Sequence, residues 1–471
     1  MNPKKDLRQI AAASLEAVDP RAIVTRSLRI DGETLCVRTR SARQDFDLAR
    51  FQRIFVMGFG KAAGPMAQAV EDVLGARIDK GLIVVKPGRG QSGAKSAEYG
   101  SARSGSTPYV GGLQRIRQVT GGHPVPDENS VQAAAEIAAL ADEADAHTLV
   151  IVLISGGGSS LLSAPMRRGS GGITLVDIQE TTRQLLACGA AIGEINCIRK
   201  HLLLLAGGRL AQRIAPAPSI SLVLSDVVGD DLQTIASGPT CPDSTTYDRA
   251  LAIIGYYGIG STLPATVMDV LRSGAAGKIP ETPKPGAPEL SAASHMLLGT
   301  NLLALQSAAD EAGRLGYNPL ILTSHMAGEA REAARVLAAV AKDVASSGLP
   351  CARPACILAG GETTVTLRGK GKGGRNQELA AAFLREMEQE PALLSGTYLL
   401  SFSTDGEDGP TDAAGGFAFA SLVEAARAAG MRVQDSLRQN DSYTLLKELD
   451  GLFITGPTNT NVCDIQIVLV V

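Results

Sequence analysis

The sequence predicts an α/β protein of two domains, and three observations lead to this prediction. Short apolar runs typical of buried strands alternate with longer stretches that have the 3.6-residue spacing of amphipathic helices. Most of the strand-like runs end in a polar or glycine-rich loop. The 471 residues also exceed the usual size of one domain, which is about 100–200 residues. Because parallel strands need helical crossovers, this alternation favours mostly parallel sheets.

The N-terminal half contains a βαβ unit, for which a right-handed crossover is expected. Its parts are a strand at 53–57, a helix at 62–74 and a second strand at 80–85. Such a unit predicts a Rossmann-like domain. The other elements predicted in this half are a helix at 6–18, two short strands around Asp31-Gly32 within 23–37, a helix at 130–144, a strand at 148–154, helices at 175–189 and 192–214, and a strand at 220–224.

A stretch dense in Gly, Pro and Lys, residues 273–290, is the predicted linker. It separates a domain of residues 1–272 from a domain of residues 291–471. Ligands of open α/β sheets gather at the carboxyl ends of the strands, so the two halves predict an active-site cleft between the domains. The elements predicted after the linker are strands at 296–298, 319–322, 398–402, 452–455 and 464–470, and helices at 302–316 and 329–345.

The composition excludes several classes of protein. The formal net charge of −3 argues against a basic nucleic-acid-binding face. No apolar run reaches about 18 residues, the length that a membrane span needs. The first residues have the pattern of a helix and not of a secretory signal. The seven scattered cysteines are typical of reduced thiols, so a cytoplasmic protein is expected.

Residues 357–383 are the most informative stretch. They predict a strand, a turn that presents Glu362, a second strand at 363–367, a basic glycine loop at 368–374 and a helix that begins at Arg375. The free N–H groups and the dipole of a helix N-terminus attract anions. The stretch therefore predicts a site for a small anionic substrate that carries phosphate.

A second candidate lies where the first strand of the βαβ unit meets its helix. Gly58 and Gly60 stand at the turn, and Lys61 follows them. A dinucleotide site would have an acidic residue after the next strand, but that strand ends in Val85-Lys86, and the P-loop pattern is absent. What remains is a lysine beside glycines at a helix start, which favours a functional lysine over a merely solvated one.

A third candidate is a run of glycines and hydroxyls that follows the apolar strand at 148–154. Its backbone N–H groups are suited to bind a phosphate or a carboxylate. The alternative is a tight turn that lets strand and helix pack, and the two interpretations are compatible. The residues of this run are Ser155, Gly156, Gly157, Gly158, Ser159 and Ser160.

Two acidic loops also follow predicted strands. Carboxylates there can hold Mg²⁺ together with substrate phosphates, or act as a base on a hydroxyl. The alternative for each residue is capping or turn formation, which aspartate favours. The first loop contains Asp226, Asp230 and Asp231, and the second contains Asp405, Glu407, Asp408 and Asp412.

Taken together, these loops resemble the class II glycerate 2-kinases, which combine an N-terminal glycerate kinase domain with a C-terminal MOFRL domain. One departure is the Gly- and Ser-rich segment at 87–109, predicted to be an exposed loop longer than the fold needs. The matching blocks follow the family order over nearly the whole chain, and they are Gly58–Ala62, Leu153–Ser160, Asn196–Lys200, Leu224–Asp230, Ile235–Thr240, Leu358–Glu362, Gly371–Glu378, Thr404–Asp412, Asn440–Ser442 and Thr460–Asp464.

The resemblance implies phosphorylation of D-glycerate at its 2-hydroxyl by ATP, with Mg²⁺ as cofactor. It implies Lys61 and Arg375 as the catalytic pair. With Arg375 as the fixed point at the helix start, the basic loop at 368–374 is expected to be a mobile phosphate clamp. The expected Mg²⁺ ligands are Asp226 and Asp405. The residues expected to bind substrate or phosphate are Gly58, Gly60, Ser155, Gly156, Gly157, Gly158, Ser159, Ser160, Asp226, Glu362, Asn376 and Gln377.

Two other functions stay open at this point. One is an NAD(P)H-dependent hydroxypyruvate reductase, which acts on a related three-carbon acid but needs the acidic ribose ligand that is missing near Lys86. The other is a non-catalytic regulator that binds a metabolite. The expected partners are the small molecules D-glycerate and ATP, without nucleic acid or membrane, and the protein is expected to be a monomer or a homodimer.

Overall fold

A computed structural model of the protein describes residues 2–87, 112–166 and 172–471. Apart from Pro87, the segment at 87–109 lies outside these ranges. The α-helices are α1 (Pro3–Ala17), α2 (Pro20–Ser27), α3 (Ala63–Leu74), α4 (Glu128–Asp142), α5 (Gly158–Leu161), α6 (Leu175–Ala187), α7 (Ile192–Leu202), α8 (Arg209–Ile214), α9 (Tyr247–Tyr256), α10 (Ala265–Ala275), α11 (Asn301–Arg314), α12 (Ala330–Ser347), α13 (Arg375–Gln389), α14 (Pro391–Leu394), α15 (Ala420–Ala428), α16 (Val433–Gln439) and α17 (Ser442–Glu448). Within the described residues, no helix combines the length and the apolar character that crossing a bilayer requires.

The β-strands form three sheets. They are β1 (Leu28–Asp31), β2 (Thr34–Arg38), β3 (Arg43–Asp47), β4 (Arg53–Phe59), β5 (Lys80–Val85), β6 (Ile116–Thr120), β7 (Thr148–Ile154), β8 (Ser219–Leu224), β9 (Ala293–Gly299), β10 (Asn318–Met326), β11 (Ala355–Gly361), β12 (Thr397–Ser403), β13 (Gly415–Phe419), β14 (Leu452–Phe453) and β15 (Asp464–Val470).

The described residues divide into two compact units. The N-terminal unit comprises the described residues of Val24–Leu224 and Asp231–Leu298. The C-terminal unit comprises the residues up to Ile23, Ser225–Asp230 and Gly299–Val471. Two α/β domains are therefore confirmed, although they exchange short segments of chain.

The large sheet of the N-terminal unit has the strand order β6-β5-β4-β7-β8-β9. The pairs from β6 to β8 are parallel. Every residue of β7 and β8 is buried, as expected for parallel strands that are covered on both faces. The order is that of a doubly wound Rossmann sheet, and it confirms the prediction for this domain. From β4 the chain adds β5 and β6 on one side, and then adds β7, β8 and β9 on the other side. The loops after β4 and β7 therefore lie at the topological switch point, where the strand order reverses.

A separate apolar cluster in the same unit is built from helices α6, α7, α9 and α10. Tyr247 is fully buried within it, and a Cβ on Gly274 would lie 2.3 Å from the Tyr247 ring, so only glycine fits there. The inward residues of α7 include Ile195, Ile198 and Leu202. This packing fixes α7, whose remaining face carries polar side chains.

The small sheet, β1-β2-β3, is antiparallel. The two strands expected around Asp31-Gly32 are present as β1 and β2, and Gly32 has the positive φ (60°) that the turn requires. The first part of the range 23–37 is wrong as a strand, because Pro20–Ser27 forms helix α2.

The C-terminal sheet differs from the predicted mostly parallel arrangement. Its order is β10-β11-β15-β12-β13-β14, and only β10 and β11 pair in parallel. The last strand, β15, inserts between β11 and β12 and runs antiparallel to both. Because β15 comes from the end of the chain, its position depends on pairing between distant residues, which local patterns do not specify.

The first helix packs with the C-terminal unit, which differs from the predicted domain of residues 1–272. Leu7 and Ile10 are fully buried in the same apolar core as Leu305 of α11. The Asp6 carboxylate accepts a hydrogen bond of 2.9 Å from the hydroxyl of Tyr317. The amphipathic spacing of the helix was predicted correctly, but spacing does not reveal which core the apolar face will join.

The predicted linker at 273–290 packs on the N-terminal unit. Ile279 is buried in the helical cluster, and Thr282 is buried and donates to the Asp243 carboxylate at 3.0 Å. Its composition, rich in Gly and Pro, is that of an irregular segment, but two side chains anchor it. The division of the chain at this point stays a prediction.

We expect Leu7→Ala to lower the free energy of unfolding of the C-terminal unit by about 2–5 kcal/mol, because it leaves a cavity in a packed core. Denaturant unfolding followed by a probe in that unit measures the change. Gln9→Ala is the matched control, since Gln9 is exposed on the same helix, and it should have little effect. Equal stability of the two variants would show that α1 does not contribute to this core.

Candidate active site

Glycines at the end of β4 allow the loops at the switch point to touch. A Cβ on Gly58 would lie 2.9 Å from Cγ2 of Ile83 and 3.0 Å from Cβ of Leu153. Gly60 has a φ of 127°, and a Cβ there would lie 2.2 Å from Oγ of Ser155. Larger residues would separate the strands and the loops, so both glycines have a structural role at the predicted site.

Three hydrogen bonds join the loop after β4 to the loop after β7. The N–H of Lys61 donates to the carbonyl of Gly156 at 2.9 Å, and the N–H of Ala62 donates to Oγ of Ser155 at 3.0 Å. The N–H of Ser155 donates to the carbonyl of Phe59 at 3.2 Å. Lys61, predicted from one stretch, and the glycine run, predicted from another, are thus brought together.

The side chain of Lys61 lies beside the glycine run. A Cβ on Gly157 would lie 3.5 Å from Cγ of Lys61 and 2.8 Å from Nε2 of His123. Gly157 also has a φ of 83°, which favours glycine. The structure thus places His123 at this loop together with Lys61.

The hydroxyls of the glycine run have partners within the protein. Oγ of Ser160 donates to the carbonyl of Pro124 at 2.7 Å, and Oγ of Ser159 lies 2.8 Å from Oγ of Ser237. Gly158 begins the single-turn helix α5. The structural interpretation of this run is therefore correct for the side chains, and its backbone remains the part suited to bind an anion.

In the C-terminal unit, β11 ends at two glycines that have no room for a side chain. A Cβ on Gly360 would lie 2.0 Å from Oδ1 of Asn301, and one on Gly361 would lie 2.1 Å from the carbonyl oxygen of Met326. They place Glu362 at the strand end. The strand predicted at 363–367 is wrong: this segment bonds to the start of α12 instead, and the N–H of Thr366 donates to Glu329 at 3.0 Å.

Arg375 begins α13, as predicted, and two carboxylates hold its guanidinium. The Asp464 carboxylate accepts hydrogen bonds from Nε at 2.5 Å and from Nη2 at 2.9 Å. The Glu362 carboxylate lies 3.0 Å from Nη1. Asp464 is fully buried, whereas the Arg375 side chain is 30% exposed. Burial alone would lower the pKa of Arg375, but Asp464 and Glu362 raise it above its usual value, so the cation is permanent.

The predicted anion site at the start of α13 is occupied by the protein's own carboxylate. Asp408 accepts hydrogen bonds from the N–H of Asn376 at 3.1 Å and from the N–H of Gln377 at 2.9 Å. The Gln377 side chain adds another at 2.9 Å, and Oδ1 of Asn376 accepts from Ser401 at 2.6 Å. Both side chains are fully buried, so the structure corrects the prediction that Asn376 and Gln377 face a substrate.

Burial raises the pKa of Asp408 to about 6, and the nearby Asp464 carboxylate adds to the rise. The N–H groups of Gln377 and Asn376 and the Arg375 cation act in the opposite direction. Burial also raises the pKa of Asp464, against the effect of Arg375. These carboxylates form one electrostatic group around the start of α13.

The basic glycine loop at 368–374 is anchored by hydrogen bonds to Asn440 and Asp441, and its role as a mobile phosphate clamp stays a prediction. Oδ1 of Asn440 accepts from the N–H groups of Arg368 at 2.7 Å and of Gly369 at 2.9 Å. Asp441 accepts from the N–H of Lys372 at 3.0 Å. These backbone donors serve the fold, and the pairing partners lie some 70 residues away in the sequence, where no local pattern identifies them.

Both predicted metal ligands lie in the C-terminal unit. Asp405 accepts from Oγ of Ser403 at 2.8 Å, and Ser403 pairs with Asp464 across the sheet. The carbonyl of Asp226 accepts from Sγ of Cys463 at 3.2 Å, next to Asp464 in the chain. Within residues 2–87, 112–166 and 172–471, no group of three or more His, Cys, Asp or Glu side chains is arranged to hold a metal ion.

The structure thus sorts the predicted residues into two groups. Lys61 and the two glycine loops belong to the N-terminal unit, and Arg375, Glu362, Asp226 and Asp405 belong to the C-terminal unit. The sequence assigned no role to Asp464, and it indicated Asp408 only as one of several candidate metal ligands or bases. The signal for Asp464 was an acidic residue that opens a mostly apolar strand.

Comparisons with known proteins agree with this arrangement. A family model described as a domain of unknown function (DUF4147) matches residues 6–272, and the MOFRL family model matches residues 355–464. The D-glycerate 2-kinase of Thermotoga maritima is 39% identical over 436 residues, which cover 92% of this chain and 94% of that protein. A putative hydroxypyruvate reductase of Agrobacterium vitis is 39% identical over 472 residues, which cover 100% and 95%.

A solved structure, the glycerate kinase of Thermotoga maritima, is similar over 99% of each chain. Its TM-score is 0.81 at 37% sequence identity. The similarity therefore extends through both units and not through one alone.

We expect Asp408→Asn to lower the free energy of unfolding by about 1–3 kcal/mol, because an amide turns donors toward the N–H groups that the carboxylate accepts. Asp412→Asn is the matched control in the same loop, since Asp412 is exposed. Denaturant unfolding of the three proteins measures the difference.

The pH dependence of the stability of wild type and Asp408→Asn gives a second test. An aspartate in an unfolded chain has a pKa of about 3.9. The folded protein therefore binds more protons than the unfolded chain between about pH 4 and pH 6, and Asp408 makes stability fall as pH rises through this window, by up to about 3 kcal/mol. Asp408→Asn lacks this titration. The loss in its free energy of unfolding relative to wild type should therefore be larger at about pH 4.5 than at about pH 7.5. A stability difference between the two proteins that does not change with pH would contradict the raised pKa of Asp408.

Proposed function

The chain belongs to the glycerate 2-kinase family with a C-terminal MOFRL domain, and we propose that it transfers the γ-phosphoryl group of ATP to the 2-hydroxyl of D-glycerate. The products are 2-phospho-D-glycerate and ADP. The relatives match over nearly its whole length, and both units carry loops that suit this chemistry.

The observation that carries the proposal is the fixed cation at Arg375. Phosphoryl transfer depends on positioning and on neutralising the charge of the transferring group, more than on covalent chemistry by the protein. A bidentate pair with buried Asp464 fixes the guanidinium plane, and its 30% exposure leaves an edge for a ligand. A donor held in place before the reaction stabilises the transition state more than a donor that must first reorganise.

Lys61 supplies the second proposed cation. It stands at the switch point of the doubly wound sheet, where ligands of such folds bind. The backbone of the glycine run beside it, Gly156 to Gly158, is the proposed cradle for phosphate oxygens, with Gly58 and Gly60 keeping the loops in contact. Lys61 is proposed to neutralise charge on the transferring phosphoryl group.

Mg²⁺ is the proposed cofactor, with Asp226 and Asp405 as its protein ligands. Carboxylate oxygens are the donors that Mg²⁺ prefers, and one or two of them usually suffice when phosphates complete the coordination. Asp405 is only partly buried, and its carboxylate is oriented by Ser403 and by the N–H of Glu407. When bound, the ion would neutralise charge on the β- and γ-phosphates of ATP.

A reductase is the second candidate, because one relative carries the name of a putative hydroxypyruvate reductase. The switch-point geometry argues against it for this chain. Strand β5 is followed by Lys86, whereas a nicotinamide dinucleotide site places an acidic ribose ligand there. A non-catalytic regulator is the third candidate, and it would bind glycerate without turnover.

One set of assays separates the three functions. Purified protein with D-glycerate, ATP and Mg²⁺ should release ADP, and phosphorus NMR should place the new phosphate on the 2-hydroxyl. Excess EDTA should abolish the activity, and added Mg²⁺ should restore it. Oxidation of NADH by hydroxypyruvate without ADP release would favour the reductase, and glycerate binding without either reaction would favour the regulator.

We expect Lys61→Ala and Arg375→Ala each to lower kcat on the order of 10²–10³-fold, as for the loss of one preorganised donor. Arg375→Lys should lose most of the same rate, because an ammonium cannot replace the bidentate pair with Asp464. If both cations act on one transition state, the double variant should lose less than the product of the two single losses.

The control for these variants is Arg335→Ala, since Arg335 is an exposed cation on α12 that pairs with Glu332. Thermal unfolding shows whether each variant remains folded. Folded Lys61 and Arg375 variants with a kcat near that of the control would refute the catalytic roles.

A further inference from the structure

Arg199 is a cation of the N-terminal unit that the roles described above do not use. It lies on α7, three residues after Asn196, so that the two side chains are neighbours on one face of the helix. The opposite residues of α7 pack into the apolar cluster. Arg199 is partly buried, and Asn196 is 5% exposed.

This face of α7 is connected to the glycine run that follows β7. Oδ1 of Asn196 accepts from Oγ of Ser237 at 3.4 Å, and Oγ of Ser237 lies 2.8 Å from Oγ of Ser159. The Asn196 amide also donates to the carbonyl of Thr234 at 3.5 Å. The chain of contacts places Arg199 one helical turn from groups that bond directly to the proposed phosphate-binding loop.

The guanidinium of Arg199 lacks a counter-ion. In the part of the chain that the structure describes, it has no hydrogen bond and no ion pair, and burial lowers its pKa without any carboxylate to oppose the shift. Its neighbours are paired: Lys200 lies 3.2 Å from Asp243, and Arg209 donates to the hydroxyl of Tyr247 at 3.3 Å. A desolvated cation without an anion is costly unless a ligand supplies the anion.

We propose that Arg199 binds the carboxylate of the substrate and thereby selects a 2-hydroxy acid. This inference rests on the proposed glycerate kinase function. The carboxylate of glycerate is bonded to the carbon that carries the reacting hydroxyl, so a residue that fixes the carboxylate also orients that hydroxyl. The planar guanidinium suits the two oxygens of a carboxylate.

A carboxylate fits better than the phosphates of ATP. Arg199 offers one cation beside neutral hydroxyls and an amide, which balances one negative charge. The phosphates carry several charges, and the proposed function meets them with Lys61, Arg375 and Mg²⁺. Binding of an ATP phosphate by Arg199 would be seen as a changed KM for ATP.

The first test is a steady-state comparison of wild type with Arg199→Gln. A lost charge-assisted hydrogen bond corresponds to roughly a 10–100-fold rise in the KM for D-glycerate. The KM for ATP should stay within about twofold, because Arg199 is not proposed to contact ATP. Arg199→Lys should lie between wild type and Arg199→Gln, since it keeps the charge but loses the planar fork. A changed KM for ATP with an unchanged KM for glycerate would overturn the proposal.

The second test changes the substrate, which a purely structural role of Arg199 cannot mimic. Wild type should use the amide of D-glyceric acid much less efficiently than D-glycerate, by roughly 10–100-fold in kcat/KM. In Arg199→Gln this ratio should fall close to one, because no cation remains to recognise the carboxylate. An equal ratio in the two proteins would refute carboxylate recognition.

The control is Arg183→Gln, which removes an exposed arginine of α6 that pairs with Glu180. Stability provides a further check. Removing an unpaired, desolvated charge should leave the Tm of Arg199→Gln equal to or higher than that of wild type. A clear fall in Tm would assign Arg199 to the fold.

Failure of the inference is distinct from failure of the proposed function. If wild type turns over D-glycerate and Arg199→Gln has the same KM for it, the function stands and the role of Arg199 is refuted. If wild type shows no turnover, the kinase function is refuted, and calorimetric titration of D-glycerate into both proteins then decides the role of Arg199. Weaker binding by Arg199→Gln supports it, and equal binding or no binding to either protein refutes it.

Discussion

The pair of Arg375 with the buried Asp464 carboxylate is the interaction on which the C-terminal unit depends. Three elements meet at it: the end of β11, the start of α13 and the start of β15. A buried carboxylate is tolerated only when it is paired, and removing one partner of such a pair usually costs about 3–5 kcal/mol. The insertion of β15 between β11 and β12 therefore does more than complete a sheet, because it delivers the carboxylate that fixes the proposed catalytic cation.

The N-terminal unit positions its proposed catalytic cation, Lys61, in a different way. Its proposed phosphate-binding loop is organised by close approach and not by charge, since glycines at 58 and 60 bring the ends of β4 and β7 into hydrogen-bond contact. Lys61 is positioned through its backbone, which bonds to Gly156. Its ammonium stands at the end of a flexible four-carbon side chain, whereas the Arg375 guanidinium is held in one plane by its bidentate pair with Asp464.

The sequence predicted what local patterns encode and missed what distant pairing decides. The Rossmann-like sheet followed from apolar runs that alternate with helices, and the glycine loops followed from their position after strands. The arrangement around α13 did not, because the anion at its start is Asp408, 31 residues away, and the donors of the basic loop bond to Asn440. An anion was predicted at the start of α13, but the anion there is the protein's own Asp408 carboxylate and not a ligand.

Charge balance is a reason to propose a metal ion in addition to the arginine. Arg375 is one cation held by two carboxylates, Asp464 and Glu362, and Asp405 lies close enough to raise the pKa of Asp464. The carboxylates that fix the guanidinium also offset its charge, so this cluster alone would repel the phosphates of ATP at longer range. The proposed divalent ion at Asp226 and Asp405 would offset most of that negative charge while Arg375 keeps its direction. Precise placement of a cation by buried carboxylates and attraction of a polyanion are competing demands, which the proposed Mg²⁺ would reconcile.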